Sequence, residues 1–207
     1  PLRGGSSGME RVELFFAFAL VGLLALLILP VSARLLDVLI ILNFGLALVM
    51  MLLSITIRRS IDFSVFPTLL LFVTMFRLAL HVSSTRLILT QGEAFDGVMI
   101  KAFGTWVAGE NPVVGLVIFS ILVLVQYLII TKGSERVAEV AARFHLDAMP
   151  VRLMALDSAQ NAGMPMEEVA ERRLEIQLEA DFYGSMDGAS RYVRGENIAA
   201  VVIVLIN

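Results

Sequence analysis

The sequence predicts an all-α fold, made of polytopic transmembrane helices with a small helical cytoplasmic insertion. Two observations carry this reading. Of 207 residues, 58% are hydrophobic and 17% charged, with a mean hydropathy of +0.85, whereas soluble domains average about 45–50% apolar and about 25% charged. The apolar residues also gather into nearly charge-free runs of about 20 residues, the helix length that crosses a hydrocarbon core of about 30 Å. Composition excludes much else. With no cysteine there is no disulfide framework, thiolate zinc site or Cys nucleophile. The 2 His are too few for a His-built metal site without carboxylates, and the net charge of −3 argues against a general nucleic-acid binder.

Residues 1–8 are small, polar and aperiodic, and are read as an expression-vector scar. Residues 9–131 form the membrane region. Residues 14–33 carry no charge and make the first span. Arg34 and Asp37 lead into the second, 38–57, which Arg58 and Arg59 close. The third run, 61–82, carries Asp62, Pro67, Thr68, Thr74 and Arg77, the heaviest polar load of the set. The fourth span is 113–130, with Gln126 its one strongly polar side chain and Lys132 at its end. Between the third and fourth spans, aromatic and apolar residues alternate with glycine. That segment is expected at the membrane surface, on other helices or as a partly ordered loop, with Trp106 suited to headgroup level.

Lys and Arg are retained in cytoplasmic loops, and their distribution sets the orientation. A cytoplasmic amino terminus places Arg11, Arg58, Arg59, Lys132, Arg136 and Arg143 inside, and Arg34, Arg86 and Lys101 outside. Residues 132–196 then form a cytoplasmic helical loop. Ser134 is expected to cap a helix whose Val137, Val140, Ala141 and Phe144 share an apolar stripe, with Glu139 and Arg143 paired at i,i+4. Asp147 to Pro150 is expected to break it. A turn follows at 161–165, then a helix begun by Pro165, Glu167 and Glu168, with Ala170, Leu174, Leu178 and Phe182 on one stripe. Gly184 to Gly188 is expected to turn. Residues 197–207 are apolar but too short to cross, and read as the start of a truncated fifth span.

Three stretches resemble one family. KGSERVAEVAARFHLDAMP (132–150), FSVFPTLLLFVTMFRLALHVSSTRLIL (63–89) and DFYGSMDGASRYVRGENIAA (181–200) are similar, in order, to the FHIPEP family of export-gate proteins of flagellar and virulence type III secretion systems, with the flagellar branch the closer likeness. The resemblance implies a homo-oligomeric ring, of nine copies by family pattern, in the bacterial inner membrane. It implies eight spans per subunit and a carboxyl-terminal domain for chaperones and substrates, absent from these residues. The ring would sit among other export-gate membrane proteins and couple proton flow to protein export, with no enzyme activity and no cofactor. Where the family usually reads Pro-Gly-Lys-Gln-Met-x-Ile-Asp, this chain has Pro150, Val151, Arg152, Leu153, Met154, Ala155, Leu156 and Asp157. Access to positive φ is lost at Val151, while the positive charge and the acid are kept. Glu196 stands where the family usually has Asp.

The ion-coupling or assembly candidates are Arg77, Arg86, Arg136, Arg143, Asp147, Asp157, Arg191 and Glu196, with Arg194 beside them. Arg77 at mid-bilayer would cost roughly 2.5–3.5 kcal/mol on insertion scales, so it should face protein or water. The competing reading is snorkelling to the outer headgroups from about five residues inside the run's end. Arg77 and Arg86 also match arginines of the family pattern. Asp62 is expected to pair with Arg58 or Arg59, with a proton site the lesser alternative, and Gln126 to bond between helices. Glu196, immediately before an apolar segment, is the preferred proton carrier because partial desolvation would act on its carboxylate. His145 is read as an exposed histidine. The alternative function is a secondary transporter or channel for a small solute, which would show paired, Gly/Pro-broken inverted repeats; none is visible. No nucleophile motif, phosphate loop or metal-ligand spacing points to catalysis.

Overall fold

The computed structural model describes residues 6–57, 63–109 and 111–206, and the described residues are helical with no strand. Asp62, Arg58 and Arg59 lie outside them. The helices are α1 (Ser6–Ile28), α2 (Ala33–Thr56), α3 (Phe66–Gln91), α4 (Val98–Ala108), α5 (Pro112–Val125), α6 (Glu135–Asn161) and α7 (Met166–Ile206). Among the described residues, three helices are long and apolar enough to cross a membrane: Ala33–Thr56, Phe66–Ala94 and the continuous helix Pro112–Asn161. Phe16–Ile28 and Val98–Ala108 are shorter apolar helices. In lipid the backbone must satisfy its own hydrogen bonds, so uninterrupted helix is the structure such runs can adopt.

Helix boundaries follow local chemistry more closely than hydropathy. The chain leaves α1 at Leu29 and Pro30, and Ser32 caps α2 by accepting from the Leu35 N–H at 3.4 Å. Arg34 and Asp37 therefore belong to α2. Pro67 in the first turn suits the start of α3 because its missing N–H would be unpaired there in any case. α3 continues to Gln91, nine residues beyond the end of the apolar run at Val82. The packed core lies where α1, α2 and α3 meet the α3–α4 connection: Leu23, Ala33, Leu36, Phe76, Leu80, Leu87 and Phe95. Outward faces are apolar too, as at Phe44, Ile55 and Leu116, the pattern of helices whose solvent is hydrocarbon.

Several expected breaks are absent. The helix does not end at Lys132: α5 passes through a π-helical segment, Gln126–Ser134, directly into α6. The resulting 50-residue helix is about 75 Å long at 1.5 Å per residue, far more than the bilayer requires. Ser134 has helical dihedrals, φ −66° and ψ −38°, so no helix begins there to be capped. Pro150 lies inside α6. It forgoes one backbone bond, but ties to α7 hold the helix on both sides of it: His145 Nδ1 lies 3.7 Å from Glu179 Oε1, and Arg152 bonds the other Glu179 oxygen. Val151 consequently sits in helix, where a β-branched residue is tolerated and no positive φ is needed. Gly184 and Gly188 are likewise helical in α7, which continues to Ile206 so that residues 197–206 extend it without a new start.

The turn between α6 and α7 falls at 161–165. The Met164 N–H donates to Ala159 O and the Gly163 N–H to Gln160 O, both at 3.1 Å, with Gly163 at φ 102°. This is the Schellman arrangement, in which a left-handed glycine lets the last carbonyls find donors. Glu167 and Glu168 occupy the first turn of α7, next to its positive dipole end. α6 and α7 pack antiparallel, through Ala142, Leu156, Val169 and Ala189. The stripes expected to be apolar seams, Val137, Val140 and Phe144 on α6 and Leu174 and Leu178 on α7, point outward instead. Alanines allow the closer helix contact, and ion pairs between the helices set which faces meet.

Candidate functional site

α7 runs parallel to α3. Phe63 and Phe66 share a cavity with Phe182, together with Ser54 and Ile57 at the end of α2, and fourteen residues further along both chains Arg77 meets Glu196. Residues 182–196 therefore lie alongside 63–77. The guanidinium of Arg77 grips the Glu196 carboxylate with two prongs, Nε donating to Oε1 at 3.1 Å and Nη2 to Oε2. Nη2 also donates to Asn197 Oδ1 at 3.1 Å. That oxygen receives Gln126 Nε2 at 3.4 Å, so α3, α7 and the first residue of the π segment share one polar chain. The Glu196 side chain is 1% exposed and that of Arg77 39%. A two-pronged Arg–carboxylate pair is the geometry that makes a buried charge tolerable. The head of Arg77 turns to Glu196 on α7, so in this structure it faces protein.

His81, one turn beyond Arg77, lies within electrostatic reach of both Glu196 and Arg77. Ser84 donates to the His81 carbonyl at 3.0 Å, so the expected polar stripe of Arg77, His81 and Ser84 is only partly shared by side chains. Sequence reasoning did not single out Asn197. It is 1% exposed, and its Nδ2 has no hydrogen-bond partner among the described residues. An amide directly after Glu196, at the edge of an apolar run, was the available signal.

Arg86 stands elsewhere. It donates to the carbonyls of Ile28 and Leu27 at 2.6 and 2.5 Å, closing the carboxyl end of α1, where free carbonyls and the helix dipole favour a cation. Ser83 donates to Leu26 O at 2.7 Å beside it. The remaining candidates lie on the α6–α7 hairpin and are not drawn into the Arg77 cluster. Arg143 pairs with Glu139 at 3.1 Å, Arg191 with Asp187 at 2.9 Å, and Asp157 with Arg173 at 2.7 Å. Arg194 reaches Glu135 at 2.5 Å, joining the two helices two residues before Glu196. Arg136 and Asp147 are exposed and make no ion pair among the described residues. His145 stacks on Tyr183 with centroids 3.8 Å apart. No group of three or more potential metal ligands occurs among the described residues.

A further device was missed because its parts are far apart in sequence. Asp37, in the second turn of α2, accepts the Val98 and Met99 N–H groups at 2.9 and 3.0 Å, supplying α4 with an N-terminal cap from another helix.

Comparison with known proteins places the chain in a family. The model of the FHIPEP family matches residues 23–207. The "Flagellar biosynthesis protein FlhA" of Borreliella burgdorferi is 50% identical over 203 residues and that of Bacillus subtilis 48% over 200, each alignment covering 96% of this chain and 29% of the relative. The "Low calcium response locus protein D" of Yersinia pestis is 45% identical over 199 residues, 96% of this chain and 28% of the relative. The chain thus spans less than a third of the length of these relatives. No solved structure matches. With nearly its whole length covered by the family model, and close to half its residues shared with these relatives, the chain belongs to the FHIPEP family.

Proposed function

We propose that this chain is the amino-terminal membrane part of an export-gate component of a flagellar or virulence type III secretion system. The names of its relatives support this reading. In it, copies of the chain assemble as a ring, nine by family pattern, in the bacterial inner membrane, with the amino terminus and the α6–α7 hairpin on the cytoplasmic side. Other gate proteins surround the ring. Substrates and chaperones are received by a carboxyl-terminal domain outside these 207 residues. The chain itself makes and breaks no bonds; it couples ion flow to conformational change.

One observation carries the coupling: a buried carboxylate, Glu196, held by Arg77 within apolar helices. Ionisable groups at such depth mark ion pathways more often than they add stability. Protonating Glu196 would cancel its attraction for Arg77 and loosen α7 from α3. The movement would reach the hairpin through two links, Arg194 to Glu135 and Asn197 to Gln126. The test is Glu196→Gln in the full-length protein, with export measured at several external pH values and membrane abundance checked. Loss of export, with the residual activity no longer responding to pH, is the expected result. Export equal to wild type at every pH would remove Glu196 from the coupling.

A further inference from the structure

We propose that α4 is a lipid-seated anchor, lying along the membrane boundary with its aromatic face in the headgroup and upper acyl region. This goes beyond the export reading and does not depend on ion coupling. At 100° per residue, nine of the eleven residues of α4 mark out three faces. Ile100, Val107 and Ala108 form the first, which packs inward: Ile100 lies against the core, and Ala108 approaches Gly115 of α5 so closely that a Cβ there would stand 3.0 Å away. Lys101 and Thr105 supply the polar groups of the second face, with the exposed Val98 beside them. Met99, Phe103 and Trp106 form the third, with Phe103 directly opposite the midpoint between Lys101 and Thr105.

The third face is covered by nothing within the chain. Trp106 is 80% exposed and Phe103 60%, and their rings lie 6.0 Å apart as one apolar patch. Several observations select lipid as the occupant. At about 1.5 Å per residue α4 is about 16 Å long, too short to cross a hydrocarbon core of about 30 Å. It stands where α2 begins and α3 ends, and Asp37 ties it to the second turn of α2. It packs on α2 and α5, whose own outward residues, such as Val38 and Val113, are apolar and exposed, so its patch continues surfaces of lipid-crossing character. Trp is enriched at this depth because its ring is apolar and its N–H polar. A lysine on the opposite face completes the pattern of an interfacial helix.

Trp106 is the only tryptophan in the chain, so intrinsic fluorescence reads α4 alone. The chain is reconstituted in vesicles of phosphatidylethanolamine and phosphatidylglycerol. A matched set carries lipids brominated either high or low on the acyl chain. The expected result is emission shifted to the blue of tryptophan in water, strong quenching by the shallow bromines, weaker quenching by the deep ones, and little by aqueous iodide. The Phe103→Asp variant, which leaves the packed face untouched, should shift emission back to the red and lose bromine quenching. Quenching by iodide without quenching by bromolipid would mean that α4 lies in water and would overturn the proposal. Protection from both, relieved by diluting the protein in lipid, would mean that a second copy covers the face and would equally overturn it.

Discussion

Arg77 of α3 and Glu196 of α7, 119 residues apart in sequence, form a two-pronged ion pair whose acidic partner is closed off from solvent. Removing one partner of a buried pair leaves an uncompensated charge, at a cost of about 3–5 kcal/mol. Arg77→Ala should therefore destabilise the protein by that order. Arg77→Lys, which keeps the charge but not the planar fork, should lie between. Thermal unfolding of the purified protein in detergent checks this, and equal midpoints for Arg77→Ala and wild type would refute the pair's structural weight.

Arg86 holds the end of α1 by two charge-assisted bonds to backbone carbonyls. Bonds to charged groups contribute about 1.5–3 kcal/mol. Arg86→Ala should lower stability by roughly that amount, and hydrogen exchange should rise first in the last turn of α1. A uniform rise across all helices, with no early loss in α1, would speak against the capping role.

Capping of α4 by Asp37 predicts a local effect. Replacing a capping carboxylate by alanine costs about 0.5–2 kcal/mol. Asp37→Ala should accelerate exchange of the Val98 and Met99 amides, while Asp37→Asn, which keeps one acceptor, should do so less. Unchanged protection of those two amides in Asp37→Ala would show that the cap contributes nothing.

Continuity of α6 through Pro150 predicts a gain. Pro150 is exposed and sits in a helix interior, where proline is about 3 kcal/mol less favourable than alanine. Pro150→Ala should restore a backbone bond to the Leu146 carbonyl and raise the stability of the hairpin by up to about that amount. Protection at residues 146–152 should increase. A break in the chain at this point would give no such gain.

The turn glycine tests the opposite sign. Gly163 has φ 102°, which an L side chain adopts only with strain, so Gly163→Ala should cost about 1 kcal/mol or somewhat more. Limited proteolysis at the α6–α7 turn is the readout, and an unchanged cleavage rate would contradict the left-handed cap.

Several parts of the site were legible before the structure. Arg77 had to face protein or water because a charge in an apolar run has nowhere else to go, and Gln126 was expected to bond between helices, which it does with Asn197. The pairing of Glu139 with Arg143 follows from helical spacing alone. Arg86 could be recognised as unusual but not as a cap, since its partners are backbone carbonyls 58 and 59 residues away. Asp37 carried no distinguishing pattern, and Asn197 only its place as an amide directly after Glu196 at the edge of an apolar run.

What the sequence determined by itself was local in origin: helix throughout, charge-free stretches of bilayer length and the turn at Gly163. Each of these depends on neighbours within a few turns, where hydropathy and dihedral preference act directly. Only the tertiary structure decided that Glu196 is the partner of Arg77, that Asp37 starts α4, and that α6 and α7 continue through Pro150, Gly184 and Gly188. The penalties at those residues are about 1–3 kcal/mol each, small enough for ion pairs and packing between distant helices to outweigh. Such contacts leave no periodic trace in the chain, because nothing in a local pattern says which distant side chain will arrive.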